Sequence, residues 1–272
     1  MEMFFYGFMQ RAFQASTLIG IMAPILGLTL ILRRQSLMAD TLSHVSLAGI
    51  ALGMLIGINP TITTIFVVIL VAIGIEYLRT VFRGYSEISV AILMSTGMAV
   101  ALVLMSFVSG QQTANIEQFL FGSIVTIDQG QIVTLFVLTV IIAALYFIFR
   151  RPLYVLLFDE DTALTAGLPV RWISLFISII TGIAISVIMP ITGSLLVSAI
   201  LVLPAAVAMR LVNSFKMVIW TGIGISLIGM YGGLFVSYEF GTPPGATITL
   251  MFVGLFVIVS IFKAIKIPKR AE

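Results

Sequence analysis

Nine long apolar stretches alternate with short polar breaks along the chain, at 13–32, 38–58, 61–78, 88–108, 132–149, 172–189, 194–209, 217–236 and 246–262. Most have the length of roughly 17–25 residues that a helix needs to cross a hydrocarbon core. The pattern predicts an all-α polytopic membrane protein with eight or nine transmembrane helices. Stretch 194–209 is short and contains Pro204, which predicts either a broken or re-entrant segment or a short crossing. The connections are brief and no internal repeat stands out, so one transmembrane domain over 1–272 is expected.

Composition strengthens this picture. The chain is 60% hydrophobic and 9% charged, whereas soluble domains carry about 25% charged residues. There is no cysteine, which removes disulfides and thiolate metal sites from consideration. The net charge of +3 is too small to suggest nucleic acid as a partner. The first apolar run has no preceding basic cluster, so a cleaved secretory signal is not expected.

The placement of charge gives the orientation. Lys and Arg are retained on the cytoplasmic side of a membrane. With nine spans and an outer N-terminus, Arg33, Arg34, Arg79, Arg83, Arg150, Arg151, Arg171, Arg210, Lys216, Lys263, Lys266, Lys269 and Arg270 all fall inside, and only Arg11 falls outside. This asymmetry favours counting 194–209 as a crossing. The outer connections hold Glu117, Asp128 and Glu239, either an acidic mouth that concentrates cations or three ordinary solvated carboxylates. Glu76 and Glu87, near inner span ends, are expected to pair with Arg79 and Arg83.

The second apolar stretch opens MADTLSHVSLAGIALG. Asp40 and His44, the only histidine, are four residues apart and therefore share one helical face. An Asp inside a span costs roughly 2.5–3.5 kcal/mol on insertion scales, so such residues face protein interiors or aqueous paths. Carboxylate and neutral imidazole together form a ligand pair for zinc or manganese. Two ligands do not close a site; a symmetric homodimer with this span at its axis supplies four. Thr41, Ser43 and Ser46 are candidates for added hydroxyls. The packing alternative is a local Asp–His hydrogen bond. Gly49, Gly53 and Gly57 line the same helix as a small-residue stripe suited to close packing.

Four ordered blocks carry a family resemblance over nearly the whole chain: Asp40-Thr41-Leu42-Ser43-His44 with Ala48-Gly49-Ile50-Ala51-Leu52-Gly53; Phe119-Leu120-Phe121-Gly122-Ser123; Phe158-Asp159-Glu160-Asp161-Thr162-Ala163 through Gly167-Leu168-Pro169; and Gly193-Ser194-Leu195-Leu196-Val197 through Pro204-Ala205-Ala206. They resemble the permeases of the bacterial ATP-binding cassette importers for zinc and manganese, the ABC-3 type. The sequence departs from the family where Val45, Ser46 and Leu47 stand in place of a small residue and a proline.

The resemblance implies a type II importer permease in the bacterial cytoplasmic membrane. It implies a homodimer, two cytoplasmic ATP-binding subunits below and an extracytoplasmic metal-binding protein above. It implies Zn²⁺ or Mn²⁺ as the transported substrate, with no permanently bound cofactor and with Asp40 and His44 on the ion path. It also implies a coupling helix near 158–168, formed by Phe158, Asp159, Glu160, Asp161, Ala163, Gly167 and Leu168. Acidic residues at its start and a glycine at its end suit a capped helix.

No GxxxxGK[ST] phosphate loop occurs, so ATP hydrolysis is expected of a partner. A secondary transporter would call for a coupling-ion site and repeated broken helices. A zinc protease of the HExxH type needs two histidines. A permease for cobalamin or an iron chelate would want a wider, less charged path. Affinity order leans to zinc over manganese at such a ligand pair.

Overall fold

The structure is a computed structural model that describes residues 5–81, 86–108, 119–123 and 126–266. It is helical, with no strand among the described residues. The helices are α1 (Gly7–Leu32), α2 (Ser36–Ile56), α3 (Pro60–Val81), α4 (Ser86–Phe107), α5 (Gln129–Phe158), α6 (Glu160–Thr165), α7 (Val170–Thr192), α8 (Val197–Leu211), α9 (Phe215–Phe240) and α10 (Pro244–Lys266). Helices satisfy their backbone hydrogen bonds internally, which is what a lipid solvent requires.

Eight of them have the length and hydropathy to cross a membrane, and α8 is the shorter ninth. Its 15 residues span only about 22 Å. The shortfall is made up by a buried turn. Gly193 adopts φ +90°, and a side-chain carbon there would sit 2.5 Å from the Leu120 carbonyl oxygen. The turn's Ser194 N–H donates to the Phe119 carbonyl at 2.9 Å, and the Ser123 N–H donates to the Pro190 carbonyl at 3.4 Å. Non-helical backbone at membrane depth is tolerated where protein covers it and answers its polar groups. The FLFGS and GSLLV blocks thus pack against each other, and Pro204 is accommodated inside a continuous helix.

α1 and α2 are the most buried spans, while α4 and α10 are mostly exposed. α2 packs on α3, α4, α7 and α8; α1 packs on α5, α8 and α9. Glycines set these crossings. A side-chain carbon at Gly49 would lie 2.6 Å from the Thr64 backbone of α3, and one at Gly27 would overlap the Leu201 carbonyl of α8. Thr63 Oγ1 donates to the Gly49 carbonyl at 3.0 Å, joining α2 to α3. Gly57 instead closes α2 in the left-handed conformation, φ 72°, so the small-residue stripe divides into a packing part and a cap.

The largest departure from the sequence reading is α5. It does not stop at residue 149 but runs on through Arg150, Arg151 and Pro152 to Phe158. Phe158 is therefore the last residue of this stalk, not the first of the connecting helix. The chain has no cysteine, so topology can be read by labelling introduced ones. Ser214→Cys, between α8 and α9, should react only from the cytoplasmic side. Glu239→Cys, at the far end of α9, should react only from outside. The reverse pattern would overturn the orientation.

Candidate ion pathway and coupling site

α2 is buried on nearly every side except one stripe. Along that stripe Leu37 and Leu55 are exposed, and Asp40, His44 and Leu52 are half-buried. Asp40 and His44 thus sit one turn apart on the single open face of a central helix. No hydrogen bond joins them, and His44 Nδ1 is buried without a partner. The local Asp–His hydrogen bond that a pure packing role calls for is not made. No cluster of three or more His, Cys, Asp or Glu side chains forms among the described residues, so one protomer brings two ligands to this face.

The neighbouring hydroxyls do not join them. Thr41, Ser43 and Ser46 are fully buried on other faces. Ser43 Oγ donates to the Ser194 carbonyl at 2.6 Å, in the turn between α7 and α8. Ser46 Oγ donates to the Leu42 carbonyl at 2.7 Å and lies 3.4 Å from Ser186 Oγ of α7. Thr41 Oγ1 donates to the Leu37 and Val90 carbonyls at 3.1 and 3.3 Å. These groups hold α2 in place, and with it the orientation of the Asp40 and His44 face.

At the cytoplasmic end, α6 is a short helix held at both ends by its own sequence. Asp159 caps it, accepting from the N–H groups of Asp161 and Thr162 at 3.1 and 3.2 Å and from the Thr162 hydroxyl. The hydroxyl bond, then the backbone ones, hold the Asp159 carboxyl below the usual range. The cap is complete above the ordinary carboxylate pKa near about 4 and is lost as pH falls through the lower folded value. Gly167, at φ +77°, ends the helix: its N–H donates to the Leu164 carbonyl and the Leu168 N–H to the Ala163 carbonyl. Ala163 is fully buried against Leu156 of α5 and Val170 of α7, while Phe158 and Leu164 are exposed. Ala163 therefore seats α6 on the stalk, and the free apolar surface belongs to Phe158 and Leu164.

Glu160 extends the site inward. Arg79 of α3 donates to both Glu160 carboxylate oxygens, at 3.0 and 3.1 Å. Arg79 also lies 3.7 Å from Glu76, and Glu76 lies 3.5 Å from Arg33. Arg33 and Glu76 are buried, with side-chain exposures of 5% and 8%. Ser178 of α7 donates to Glu76 at 3.1 Å, and Arg33 donates to the Ser174 carbonyl at 3.4 Å. Burial is the main influence on the Arg33 guanidinium and lowers its pKa to about 10, against the pull of Glu76. A continuous chain of charge thus runs from α6 to the turn between α1 and α2, seven residues before Asp40.

Sequence reading placed Glu76 beside Arg79, which the structure shows, but missed Arg33. Arg33 is 43 residues away in the chain, and no local spacing connects them. The one signal was that Glu76 is the only carboxylate of its apolar stretch. Arg83 and Glu117 lie outside the described residues; Glu87 is exposed. Of the remaining outer carboxylates, Glu239 is exposed at the end of α9, and Asp128 caps α5 in a reciprocal pair with Gln131, accepting its N–H at 2.7 Å.

Comparison with known proteins agrees with this architecture. Residues 5–263 match the ABC 3 transport family. A probable metal transport system membrane protein of Treponema pallidum is 32% identical over 254 residues, covering 93% of this chain and 95% of that one. The manganese transport system membrane protein MntC of Listeria innocua is 28% identical over 257 residues, 94% and 91% of the two chains. The solved structure of PsaBC from Streptococcus pneumoniae in complex with Fab superimposes with a TM-score of 0.84 at 27% identity, over 95% of this chain and 92% of that one. The chain belongs to the ABC 3 transport family and is a multi-pass protein of the bacterial cytoplasmic membrane.

Proposed function

We propose that this chain, acting as one transmembrane domain, is the permease subunit of an ATP-driven importer of divalent metal ions. The observation that carries the reading is the placement of Asp40 and His44: an unbonded carboxylate and imidazole on the one open stripe of the central helix α2. Polar groups in that position are costly in lipid unless an ion, water or a facing protein surface answers them. A second copy meeting the first along α2 brings two carboxylates and two imidazoles together, enough for a divalent cation and few enough to let it leave. Manganese and zinc both accept this set; the relative named for manganese transport makes manganese the first ion to test.

Energy comes from elsewhere, because the chain has no phosphate-binding loop. Two ATP-binding subunits dock beneath the homodimer, using the exposed Phe158 and Leu164 around α6. The ion arrives from an extracytoplasmic binding protein. Exposed acidic groups such as Glu239 lie on the side it approaches, where they raise local cation concentration.

Cysteine cross-linking tests the paired arrangement. Leu37→Cys or Leu52→Cys, on the α2 stripe, should give a covalent dimer on mild oxidation in native membranes. Absence of that dimer, together with dimer formation by Trp220→Cys on α9, would place the interface elsewhere and remove the four-ligand site.

A further inference from the structure

A cavity of about 460 Å³ opens between the last turns of α5 and the first turns of α9. It is lined by Arg150, Arg151 and Lys216 together with the rings of Tyr154, Phe215 and Trp220. No carboxylate lines it. All three cations are exposed, and none makes an ion pair or hydrogen bond among the described residues. Arg33 and Arg79, at the same end of the molecule, are both committed to Glu76. The cavity is therefore a concentration of unanswered positive charge over an aromatic floor.

Its depth is set by the helices. Arg150 lies 21 residues after Gln129, about 32 Å along α5, close to the thickness of the hydrocarbon core. Lys216 is the second residue of α9, and Trp220 lies one turn further into the membrane. The cations thus stand at the inner headgroup level, with Tyr154 and Trp220 at the boundary where such rings settle. Phe147, which lines the cavity, and Ile148 next to it on α5 are 57% and 70% exposed, an apolar surface on the membrane side of Arg150. α5 packs on α1, α6 and α7, and α9 on α1, α8 and α10, so this surface lies away from the face of α2 that carries Asp40 and His44.

We propose that the cavity is a binding site for the headgroup of an anionic phospholipid of the inner leaflet. The phosphate and its neighbouring negative charge meet Arg150, Arg151 and Lys216, the headgroup rests on Tyr154 and Trp220, and the acyl chains run over Phe147 and Ile148. Basic pockets between helices on the cytoplasmic side recognise lipids by this combination of charge and depth. A free phosphate ion shares the charge but has no use for the aromatic floor or the adjoining apolar surface. The same residues lead to the coupling region: the Phe215 ring lies 5.5 Å from Tyr154 and 6.2 Å from Phe158, the residue before the α6 cap. The lipid therefore braces α9 against the α5 stalk.

Tryptophan quenching reads this site directly, because the chain has only two tryptophans, Trp172 and Trp220. The full-length Trp172→Phe protein is placed in phosphatidylcholine vesicles and titrated with tail-brominated phosphatidylglycerol or tail-brominated phosphatidylcholine. Trp220 should be quenched at several-fold lower mole fraction by the anionic lipid. The Arg150→Gln/Arg151→Gln/Lys216→Gln variant should lose that preference while keeping its quenching by phosphatidylcholine. Equal quenching by both lipids in the protein with intact cations would overturn the proposal. So would a preference abolished by millimolar inorganic phosphate, which would make the ligand a free anion. A preference abolished by adding the ATP-binding subunits would assign the basic rim to that protein contact instead.

Discussion

Replacing Asp40 by Asn should lower metal uptake at least about tenfold, the scale on which metal sites respond to the loss of a supporting group, while leaving the protein at least as abundant in the membrane. The two halves of this expectation have one cause. A carboxylate at the centre of a span costs roughly 2.5–3.5 kcal/mol on insertion and less near an end; Asp40, the fifth residue of α2, carries part of that cost, so removing its charge helps the chain enter lipid. In the proposed site the same charge is the main attraction for a divalent ion. A variant that inserts better and transports worse separates function from folding. His44→Ala leaves the paired carboxylates, which suit manganese better than zinc, so manganese uptake should survive it in larger part. Uptake should also fall as the medium is acidified, since a protonated His44 has no lone pair to offer. Uptake by cells carrying each single variant and the double variant, normalised to permease level, is the measurement. A double variant that transports at the wild-type rate would make the pair a packing feature.

The second large effect is expected at Glu76. Glu76→Ala leaves Arg33 buried with no carboxylate, and breaking a buried ion pair costs about 3–5 kcal/mol. The variant should accumulate poorly. Arg33→Met/Glu76→Leu removes both charges at similar volume, a replacement that is often neutral or stabilising, and should restore the folded protein. What it should not restore is the ratio of ions moved to ATP consumed. The chain Glu160–Arg79–Glu76–Arg33 is the polar connection from α6 to the foot of α2. Full recovery of that ratio in the double variant would reduce the network to a scaffold. Leu164→Asp provides the contrast, because it alters the proposed docking surface and should weaken ATPase binding itself. If Leu164→Asp binds the ATPase normally, the docking assignment fails independently of the network.

The spans were legible because length and apolarity alone define them; nearly every boundary read from sequence falls within a few residues of the observed helix. The exceptions are the start of α1, six residues before the apolar stretch, and the end of α5. Its extension carries Arg150, Arg151 and Pro152, which read as an end of hydrophobicity although the helix continues past them to Phe158. The short α8 was legible as an anomaly but not as a solution, since its missing length is supplied by a turn held by a segment far away in the chain, with Gly122 and Gly193, 71 residues apart, in close contact. At the site, Asp40 and His44 stood out because a charge and a sole histidine in an apolar run are chemically conspicuous. The fate of Thr41, Ser43 and Ser46 was not readable. Helical phase puts them near the pair, but only tertiary packing shows them committed to α4, α7 and the turn before α8. Ala163 is a similar case: only tertiary packing shows its side chain buried against the stalk while Leu164 beside it is exposed.

Reconstitution identifies the transported substrate. The permease is assembled in proteoliposomes with its ATP-binding subunits and supplied with its extracytoplasmic binding protein. Manganese, zinc, a ferric chelate and cobalamin are then offered separately with ATP present. Manganese or zinc should accumulate in an ATP-dependent way that Asp40→Asn/His44→Ala abolishes, and neither of the two larger substrates should. Accumulation of the ferric chelate or of cobalamin, with manganese and zinc left outside, would overturn the proposed function.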